Sequence, residues 1–378
     1  MESSIPLKVV TVVGTRPEII RLSRVIAALD NSKAIDHVLI HTGQNYDYEL
    51  NEIFFKELEI RKPDYFFEVA SQNLGDTLGN IISKSYEILN IIKPDALLIL
   101  GDTNSSLSVL SAKRLKIPIF HMEAGNRCFD LNVPEEINRK VADHLADINL
   151  TYTENSRRYL LSEGFRKDHV FCTGSPLNEV LSHYSDIIEK SKILKQLNLT
   201  PKGYIVASIH REENLDIEDN FKQIISALNS ISKHYNKHIL FSTHPRTRNK
   251  LKSANINFDS IDFLKPLGFF DYVQLQSNAF VTLSDSGTIS EESAIMNFPA
   301  VSVRTSTERP EAIDTGVITI GNIDSDSLLQ ATEMATKLFD STIQEIPFEY
   351  KTSNVSQRVV KIIQGYTSIV NREIWKKR

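Results

Sequence analysis

The sequence predicts an α/β protein with two doubly wound parallel sheets. Short apolar runs alternate with longer amphipathic segments along the chain, as they do in βα units. These runs form two series, separated by a charged and weakly patterned stretch at about 185–202. The length of 378 residues is long for one hydrophobic core and suits two domains. We therefore expect domains at 1–185 and 186–378 with a cleft between them, and a last helix that can pack back on the first domain.

The predicted strands follow one another along both series. In the first series they lie near 8–13, 37–41, 64–68, 96–100, 117–122, 147–152 and 169–173. Helices are predicted between them, for example at 18–29, 74–92 and 104–115. The strands of the second series lie near 204–208, 238–242, 261–264, 279–284, 300–303 and 317–320. Because ligands bind beyond the carboxyl ends of such strands, the loops that follow them are the candidate functional segments.

The composition is that of an ordinary globular protein, with 41% hydrophobic and 24% charged residues. The net charge of −5 gives no electrostatic reason to expect nucleic acid or an acidic membrane as a partner. Cys128 and Cys172 lack metal-ligand spacing, and the sequence shows no signal-peptide pattern and no apolar run of membrane-spanning length. We expect a cytoplasmic protein with free thiols. The motifs of P-loop, dinucleotide-binding and zinc-peptidase sites are absent from the sequence.

Loops of the first series carry residues suited to phosphate or acid–base chemistry. Arg16 follows the first strand, and its guanidinium is either a phosphate ligand or an ordinary surface charge. Asp102, Glu123 and Glu135 lie at three neighbouring strand-to-helix edges. Each acid has a simpler explanation, as a helix cap or as a charge that favours the helix dipole. Three acids at neighbouring edges are harder to explain in this way, and we keep them as candidate catalytic groups.

Loops of the second series add histidines, arginines and aromatic rings. His210 follows the first strand of this series, and the loop at 244–248 adds a histidine and two arginines that suit phosphate. Tyr272 precedes the segment at 279–284, so its ring can pack on a base, although a core position is the ordinary role of an aromatic residue. The charged loop at 308–311 reaches the same edge of the sheet.

The segment at 283–292 has the pattern of a nucleotide-binding turn. An apolar strand ends before Ser286, Gly287 and Thr288, whose backbone N–H groups and hydroxyls open the next helix toward an anion. A pyrophosphate fits such a turn. Glu292 lies farther along that helix, where its carboxylate can accept hydrogen bonds from sugar hydroxyls. An ordinary capping serine on a surface helix is the alternative.

Taken together, these motifs resemble the non-hydrolysing UDP-N-acetylglucosamine 2-epimerases in order and spacing. The shared segments are Gly14-Thr-Arg-Pro-Glu18, Gly101-Asp-Thr103, Glu123-Ala-Gly125, Pro134-Glu-Glu-Ile-Asn-Arg139, His210-Arg-Glu-Glu-Asn214, Asp285-Ser-Gly287, Glu291-Glu292 and Glu308-Arg-Pro-Glu311. The resemblance implies a GT-B-like fold of two Rossmann-like domains with a UDP-2-acetamido sugar in the cleft, usually as a homodimer. It implies no cofactor, neither a metal nor a nicotinamide.

The resemblance also implies roles for individual residues. Proton transfer and cation stabilisation fall to Asp102, Glu123 and Glu135, and His210 assists the leaving diphosphate. Phosphate binding falls to Arg16, Ser286, Gly287 and Thr288, ribose binding to Glu292, and stacking on uracil to Tyr272. Weaker contacts with the sugar are expected from Arg21, Arg127 and Arg309. The sequence leaves open which acid is the base.

The implied reaction is an elimination followed by an addition. No carbonyl flanks C2 of a 2-acetamido sugar, so simple enolisation cannot invert that carbon. If UDP leaves C1 as a base removes the C2 proton, a glycal forms, and re-addition of UDP with protonation of the other face gives the epimer. A GT-B glycosyltransferase that uses a UDP-sugar is the alternative. A catalytically silent UDP-sugar sensor is a third interpretation, which the full set of acids disfavours.

Several residues differ from typical members of this family. Gln44-Asn45-Tyr46 replaces a Gln-His pair in a region tied to regulatory substrate binding, so allosteric activation by substrate is in doubt. In the turn at 286–288, Thr288 replaces a glycine. The segment at 126–130 resembles a subgroup that acts in UDP-N-acetyl-L-fucosamine synthesis. Tyr46 and Phe129 add apolar bulk that suits a 6-deoxy methyl group. We expect a UDP-2-acetamido-2,6-dideoxy-L-hexose as the preferred substrate, with conversion of UDP-N-acetylglucosamine to UDP-N-acetylmannosamine as the alternative.

Overall fold

The protein consists of two compact units. The computed structural model describes residues 5–44, 48–215, 217–242, 260–304, 307–341 and 345–377, without the side chains of 48–52, 212–213 and 340–341. The first unit is Met1–Ser182 with Glu349–Arg378, and the second is His183–Phe348. Each unit is built on one parallel sheet.

All the predicted strands are present. The first sheet contains β1 Leu7–Val13, β2 Ile35–His41, β3 Tyr65–Phe66, β4 Ala96–Leu100, β5 Ile119–Met122, β6 Ile148–Thr151 and β7 Val170–Cys172. The second contains β8 Ile205–Ser208, β9 Ile239–Ser242, β10 Ile261–Leu264, β11 Thr282–Ser284, β12 Ala300–Val303 and β13 Thr319–Gly321. The predicted α/β class with two parallel sheets is therefore confirmed.

The strand order places two switch points at the carboxyl edges of the sheets. The first sheet has the order β3-β2-β1-β4-β5-β6-β7, and the second has the order β10-β9-β8-β11-β12-β13. The order reverses between β1 and β4 in one sheet and between β8 and β11 in the other. Loops that leave such adjacent strands diverge, and the crevice between them is where ligands bind in sheets of this class.

Helices connect the strands. In chain order, the described helices are α1 Arg16–Asp30, α2 Tyr48–Glu57, α3 Leu74–Ile92, α4 Ser108–Arg114, α5 Pro134–Leu145, α6 Glu154–Ser162, α7 Leu177–His183, α8 Ser185–Glu189, α9 Ile193–Gln196, α10 Glu212–Leu215, α11 Glu218–Tyr235, α12 Phe269–Ser277, α13 Ile289–Met296, α14 Pro310–Asp314, α15 Ser325–Ser341 and α16 Val355–Glu373. Short 3₁₀ helices lie at Asn104–Leu107, Lys167–His169 and Phe348–Lys351. The last helix, α16, packs on α1 within the first unit.

Local chemistry explains the element boundaries. The helix α3 begins at Leu74 because the Asn73 side chain accepts a hydrogen bond from the Asp76 N–H, and it ends where Lys93 turns into the left-handed region. The strand predicted at 64–68 is reduced to Tyr65–Phe66, since Glu68 has a φ of 51°. The helix predicted at 104–115 starts with a 3₁₀ turn.

The strands are apolar on both faces because helices cover the sheets. Val10, Leu97 and Ile119 are buried in the core of the first unit. Leu283 and Val301 are buried in the core of the second. Continuous apolar strands are typical of parallel sheets covered on both sides. Within the part of the chain that the structure describes, none of the helices has the length and apolarity needed to cross a membrane.

Candidate functional site

The loop between β1 and α1 is organised by the buried carboxyl of Glu18. Only 1% of this residue is exposed. Its Oε2 accepts hydrogen bonds from the Gly14 N–H at 3.0 Å and from the Thr15 hydroxyl at 2.8 Å, and its Oε1 accepts one from the Ser105 hydroxyl. Burial raises the pKa of Glu18 to about 7, although the hydrogen bonds act in the opposite direction. The carboxyl therefore retains a proton close to neutral pH.

Arg16 and Gly14 lie in the same loop. The guanidinium carbon of Arg16 is 5.6 Å from the centre of the Phe54 ring, which is a cation–π geometry. A Cβ at Gly14 would lie 2.5 Å from Thr42 Oγ1 and 2.9 Å from Ser105 Cβ, which is closer than Cβ contacts occur. A side chain at position 14 would therefore push this loop away from the loops after β2 and β4.

Asp102 follows β4 and is held by α5. Its Oδ2 lies 2.7 Å from Arg139 Nη2, and its backbone carbonyl accepts a hydrogen bond from Asn138 Nδ2 at 3.0 Å. Arg139 is buried and also contacts Glu136 at 3.2 Å. The cap position of the next helix is taken by Thr103. Since 22% of the Asp102 side chain is exposed, the carboxylate is oriented by a buried arginine and still reaches solvent.

Glu123 follows β5 with an unusual backbone conformation. Its φ of 66° lies in the left-handed region, which costs roughly 1–3 kcal/mol for a residue other than glycine. Its Oε1 accepts a hydrogen bond from Asn126 Nδ2 at 3.4 Å, and Asn126 Oδ1 accepts one from the Ser156 hydroxyl at 2.9 Å. A Cβ at Gly101 would lie 3.3 Å from Glu123 Oε2. Because Gly101 precedes Asp102, the two predicted acids come from neighbouring turns at one sheet edge.

A buried ion-pair network supports these two turns. His121 lies 2.9 Å from Gly101 O through Nε2 and 2.9 Å from Asp143 Oδ1 through Nδ1. Arg127 contacts Asp143 at 2.7 Å and Glu163 at 2.6 and 2.7 Å. Burial acts to raise the pKa of Asp143, but the hydrogen bonds and charges of His121 and Arg127 outweigh it and lower the pKa. The geometry of Arg127 favours structural support over its predicted contact with the sugar.

Glu135 and Arg21 are the other predicted residues of the first unit. Glu135 is half-buried in the first turn of α5. Its neighbour Glu136 is buried and accepts a hydrogen bond from the Cys128 N–H at 3.1 Å, so it supports the loop after β5. Arg21 is buried, and its guanidinium carbon lies 5.4 Å from the centre of the Tyr152 ring. The predicted contact of Arg21 with the sugar stays a prediction.

His210 in the second unit is oriented by Asp285. His210 Nδ1 lies 3.1 Å from Asp285 Oδ1. Asp285 also accepts hydrogen bonds from the backbone N–H groups of His210 and Arg211 at 3.0–3.1 Å and from Asn214 Nδ2 at 2.9 Å. Burial acts to raise the pKa of Asp285, but His210, Arg211 and Asn214 together lower it to about 2. The His210 side chain is 53% exposed, so the ring is held at Nδ1 and open to solvent elsewhere.

The turn at 286–288 forms a network of hydroxyl groups at the start of α13. Ser286 Oγ and Thr288 Oγ1 are 3.0 Å apart, and the Thr288 N–H donates to Ser286 Oγ at 3.3 Å. The Thr288 hydroxyl donates to Glu292 Oε1 at 2.8 Å, and Gln276 Nε2 donates to Glu292 Oε2 at 3.1 Å. The structure thus brings Ser286, Thr288 and Glu292 together, as predicted. A ligand at this turn would exchange these internal hydrogen bonds for its own.

Gly287 is the point of closest approach in this turn. A Cβ at this position would lie 2.2 Å from Glu308 Oε1. Glu308 is buried and pairs with Arg304 at 2.8 Å, so it has little freedom to move aside. Arg309 is also buried and pairs with Glu291 at 3.1 Å. Its predicted contact with the sugar stays a prediction.

The remaining candidates are placed in part. Tyr272 is half-buried on α12 and packs against a core cluster that contains Tyr204. Its stacking on uracil stays a prediction. The following predicted residues lie outside the described residues: Asn45, Tyr46, His244, Arg246 and Arg248.

Four residues that hold the candidate groups were not among the predicted site residues. They are Glu18, Asn126, Arg139 and Asp285. Three of them stand inside the motifs quoted above, so motif membership was the available signal. Their partners were not apparent, because each contact depends on the folded chain.

A comparison with protein-family models decides the family. The model described as UDP-N-acetylglucosamine 2-epimerase matches residues 27–364. The chain belongs to the UDP-N-acetylglucosamine 2-epimerase family. The predicted resemblance to this family and the predicted class of enzyme, an epimerase, are confirmed. The resemblance to the subgroup of UDP-N-acetyl-L-fucosamine synthesis stays a prediction.

Related proteins agree with this assignment. A structure of UDP-N-acetylglucosamine 2-epimerase from Rickettsia bellii has 46% identity and a TM-score of 0.91, covering 99% of this chain and 100% of that chain. The Methanocaldococcus jannaschii UDP-GlcNAc 2-epimerase in complex with UDP-GlcNAc and UDP has 33% identity and a TM-score of 0.88, covering 95% and 99%. A UDP-2,3-diacetamido-2,3-dideoxy-D-glucuronate 2-epimerase from Pseudomonas aeruginosa is 30% identical over 94% of this chain and 99% of its own. The structural matches confirm the predicted GT-B-like fold.

Proposed function

We propose that this chain inverts C2 of a UDP-2-acetamido sugar by eliminating UDP and adding it back through a glycal. The observation that carries the proposal is the pair Asp102 and Glu123, two carboxyl groups on neighbouring turns, each contacted by a buried side chain. Inversion by proton transfer needs one group on each face of the carbon. Two separately oriented acids supply that arrangement, and Glu135 adds a third on α5.

The proposed reaction balances without an added oxidant or reductant. One carboxylate takes the C2 proton, the electrons of the C2–H bond form the C1=C2 double bond, and the C1–O bond breaks as UDP leaves. In the return step the double bond takes a proton at C2 on the opposite face, and the UDP oxygen bonds to C1 again. The diphosphate carries the developing charge, so donors near it lower the barrier.

UDP is proposed to bind the turn at 286–288. Backbone N–H groups at a helix start suit the diphosphate, and Glu292 suits the ribose hydroxyls. Arg16 and His210 are proposed to contact the leaving diphosphate, with Asp285 orienting the ring of His210. Two relatives support a UDP ligand: the M. jannaschii enzyme in complex with UDP-GlcNAc and UDP, and the Staphylococcus aureus MnaA–UDP co-structure, which has 27% identity and a TM-score of 0.86.

The sugar is proposed to be a 2-acetamido-2,6-dideoxy-L-hexose. Phe129 is 68% exposed and has a φ of 58°, with its ring 5.4 Å from that of Tyr159. Such an exposed ring suits the 6-deoxy methyl group, whereas a hydroxymethyl group would lose a hydrogen-bonding partner. UDP-N-acetylglucosamine is the competing substrate, and the names of the relatives favour it. Comparing kcat/KM for the two sugars decides between them, because equal or better efficiency with UDP-N-acetylglucosamine would end the 6-deoxy proposal.

Incubation in deuterated water tests the proposed reaction. Each candidate UDP-sugar is incubated with the purified protein, and the C2–H signal is followed by NMR. Epimerisation through a glycal replaces that hydrogen with deuterium as the C2 epimer appears. A glycosyltransferase would leave C2–H untouched and would consume an acceptor. A glycosyltransferase structure from Rickettsia africae is 12% identical with a TM-score of 0.58, which is a likeness of fold alone.

Location and assembly belong to the same proposal. We propose a cytoplasmic location, which follows from the low cysteine usage, and the homodimer that the family resemblance implies. Light scattering of the purified chain at several concentrations measures its mass in solution. A mass of one chain at all concentrations would contradict the dimer.

A further inference from the structure

We propose that Glu18 is a positioning residue that holds the Arg16 loop and the Asp102 turn in one arrangement. This inference rests on the proposed function, in which Arg16 contacts phosphate and Asp102 takes part in proton transfer. Glu18 itself is buried, with 1% of the residue exposed. It acts through the two loops that its carboxyl joins.

On one side, Oε2 of Glu18 fixes the loop after β1. It accepts hydrogen bonds from the Gly14 N–H and the Thr15 hydroxyl, and Arg16 is the next residue. A glutamate in a capping box would instead accept from the N–H of the cap residue, which here is Thr15. The Thr15 hydroxyl makes no capping bond to α1. The contacts of Glu18 therefore serve the loop before the helix.

On the other side, Oε1 of Glu18 accepts a hydrogen bond from the Ser105 hydroxyl. Ser105 belongs to the 3₁₀ helix that follows Asp102, and the Thr103 hydroxyl lies 2.7 Å from Ser105 Oγ. Glu18 and Ser105 are 87 residues apart in the sequence. Their bond joins the turns after β1 and β4, the two strands on either side of the switch point.

The arrangement suits a protonated carboxyl. Burial raises the pKa of Glu18 to about 7, so the proton is kept near neutral pH. When the carboxyl is protonated at Oε1, the direction of the bond to Ser105 reverses: Oε1 donates to Ser105 Oγ, and the Ser105 hydroxyl donates to Thr103 Oγ1. Glutamine has a similar shape, with a carbonyl oxygen that can accept from Gly14 and Thr15 and an NH2 group that can donate to Ser105. Alanine would leave the Gly14 N–H buried without its acceptor, which is a costly state.

The test compares Glu18→Ala and Glu18→Gln with Asp147→Ala in the full chain. Asp147 is a matched control because its carboxylate is also buried in the first unit and also holds a backbone N–H. It binds Lys113 Nζ at 2.6 Å and the Ile119 N–H at 2.9 Å. These contacts lie at the amino edge of the sheet, opposite the candidate site. We expect kcat for C2 epimerisation to fall roughly 10²-fold in Glu18→Ala, the scale of a ~1 Å misplacement. Glu18→Gln should recover to within about threefold of wild type, and Asp147→Ala should keep kcat at a temperature where it is folded.

A second readout follows the loops themselves. Hydrogen exchange should speed up together at amides 14–18 and 101–107 in Glu18→Ala, and at neither segment in Asp147→Ala. Should Glu18→Ala fail to fold, Ser105→Ala deletes the bond between the loops together with the local contact to Thr103, and it should lower kcat about fivefold.

Several results would overturn the proposal. They are a wild-type kcat in folded Glu18→Ala or in Ser105→Ala, a Glu18→Gln as slow as Glu18→Ala, and an equal kcat loss in Asp147→Ala. Absence of epimerisation in the wild-type chain would instead overturn the proposed function. Hydrogen exchange would still decide whether Glu18 couples the two loops.

Discussion

Replacing Glu18 by glutamine should remove a pH dependence from the stability of the first unit. The pKa of Glu18 rises from its ordinary value of 4.5 to about 7 because burial disfavours the carboxylate more than the hydrogen bonds from Ser105, Thr15 and Gly14 favour it. The folded chain therefore keeps a proton that the unfolded chain releases. The stabilisation is fully present below pH 4.5 and is lost as the pH rises through 7. At about 1.4 kcal/mol per pKa unit, the loss amounts to about 3 kcal/mol.

Urea unfolding at several pH values between 4.5 and 8 measures this effect. Trp375 is the single tryptophan of the chain and lies in the first unit. The Lys113 ammonium lies 5.2 Å from its ring centre, a contact that unfolding breaks. Its fluorescence therefore reports the unfolding of that unit. Other groups titrate equally in both proteins, so the difference between wild type and Glu18→Gln isolates Glu18. We expect the free energy of unfolding of the variant, relative to that of wild type, to increase by about 3 kcal/mol across this range. Parallel stability curves would show that the folded carboxyl is ionised and would refute the reasoning.

Three further sets of substitutions test the candidate residues. Ser286→Ala combined with Glu292→Ala should weaken UDP binding roughly 10- to 30-fold in calorimetry, since each exchanged hydrogen bond contributes about 1 kcal/mol; an unchanged affinity removes the turn from the proposal. Asp102→Asn and Glu123→Gln should each bind UDP but lose about 10²–10⁴-fold in kcat, and near wild-type rates in both would leave them as structural acids. Asp285→Asn should lower kcat about 10²-fold because it releases the imidazole of His210. A folded and fully active variant would show that Asp285 does not orient His210 for the reaction.

The fold and the position of the site can be predicted from the sequence. Apolar runs such as Ala96–Leu100 predict buried strands because helices cover both faces of a parallel sheet. Once the strands are assigned, Arg16, Asp102, His210 and Ser286 must follow strand ends. The parallel strands of each sheet present those ends at one edge of that sheet, which is the edge where ligands bind.

The contacts inside the site cannot be predicted in the same way. Asp285 and His210 are 75 residues apart, and Glu18 and Ser105 are 87 apart. Whether such residues meet depends on which strands are neighbours. The alternation of apolar and amphipathic segments predicts strands and does not specify their order in the sheet.

Arg127 illustrates a different limit. An arginine in a polar loop suggests an exposed side chain that can reach a sugar. In the structure it is buried because two carboxylates, Asp143 and Glu163, lie within hydrogen-bonding distance and satisfy its charge. Those partners come from α5 and from the end of α6, so only the folded chain brings them to Arg127.

Positional isotope exchange reports whether UDP leaves C1 during the reaction. A UDP-2-acetamido sugar labelled with ¹⁸O at the oxygen that joins C1 to the β-phosphate is incubated with the protein in deuterated water. If UDP leaves C1 and returns, the label moves into the non-bridging β-phosphate oxygens while deuterium enters C2. Elimination and re-addition of UDP should therefore produce both changes in the recovered sugar nucleotide. Deuterium at C2 with the label still in the bridging position would mean that C1–O stays intact, and it would contradict the elimination mechanism.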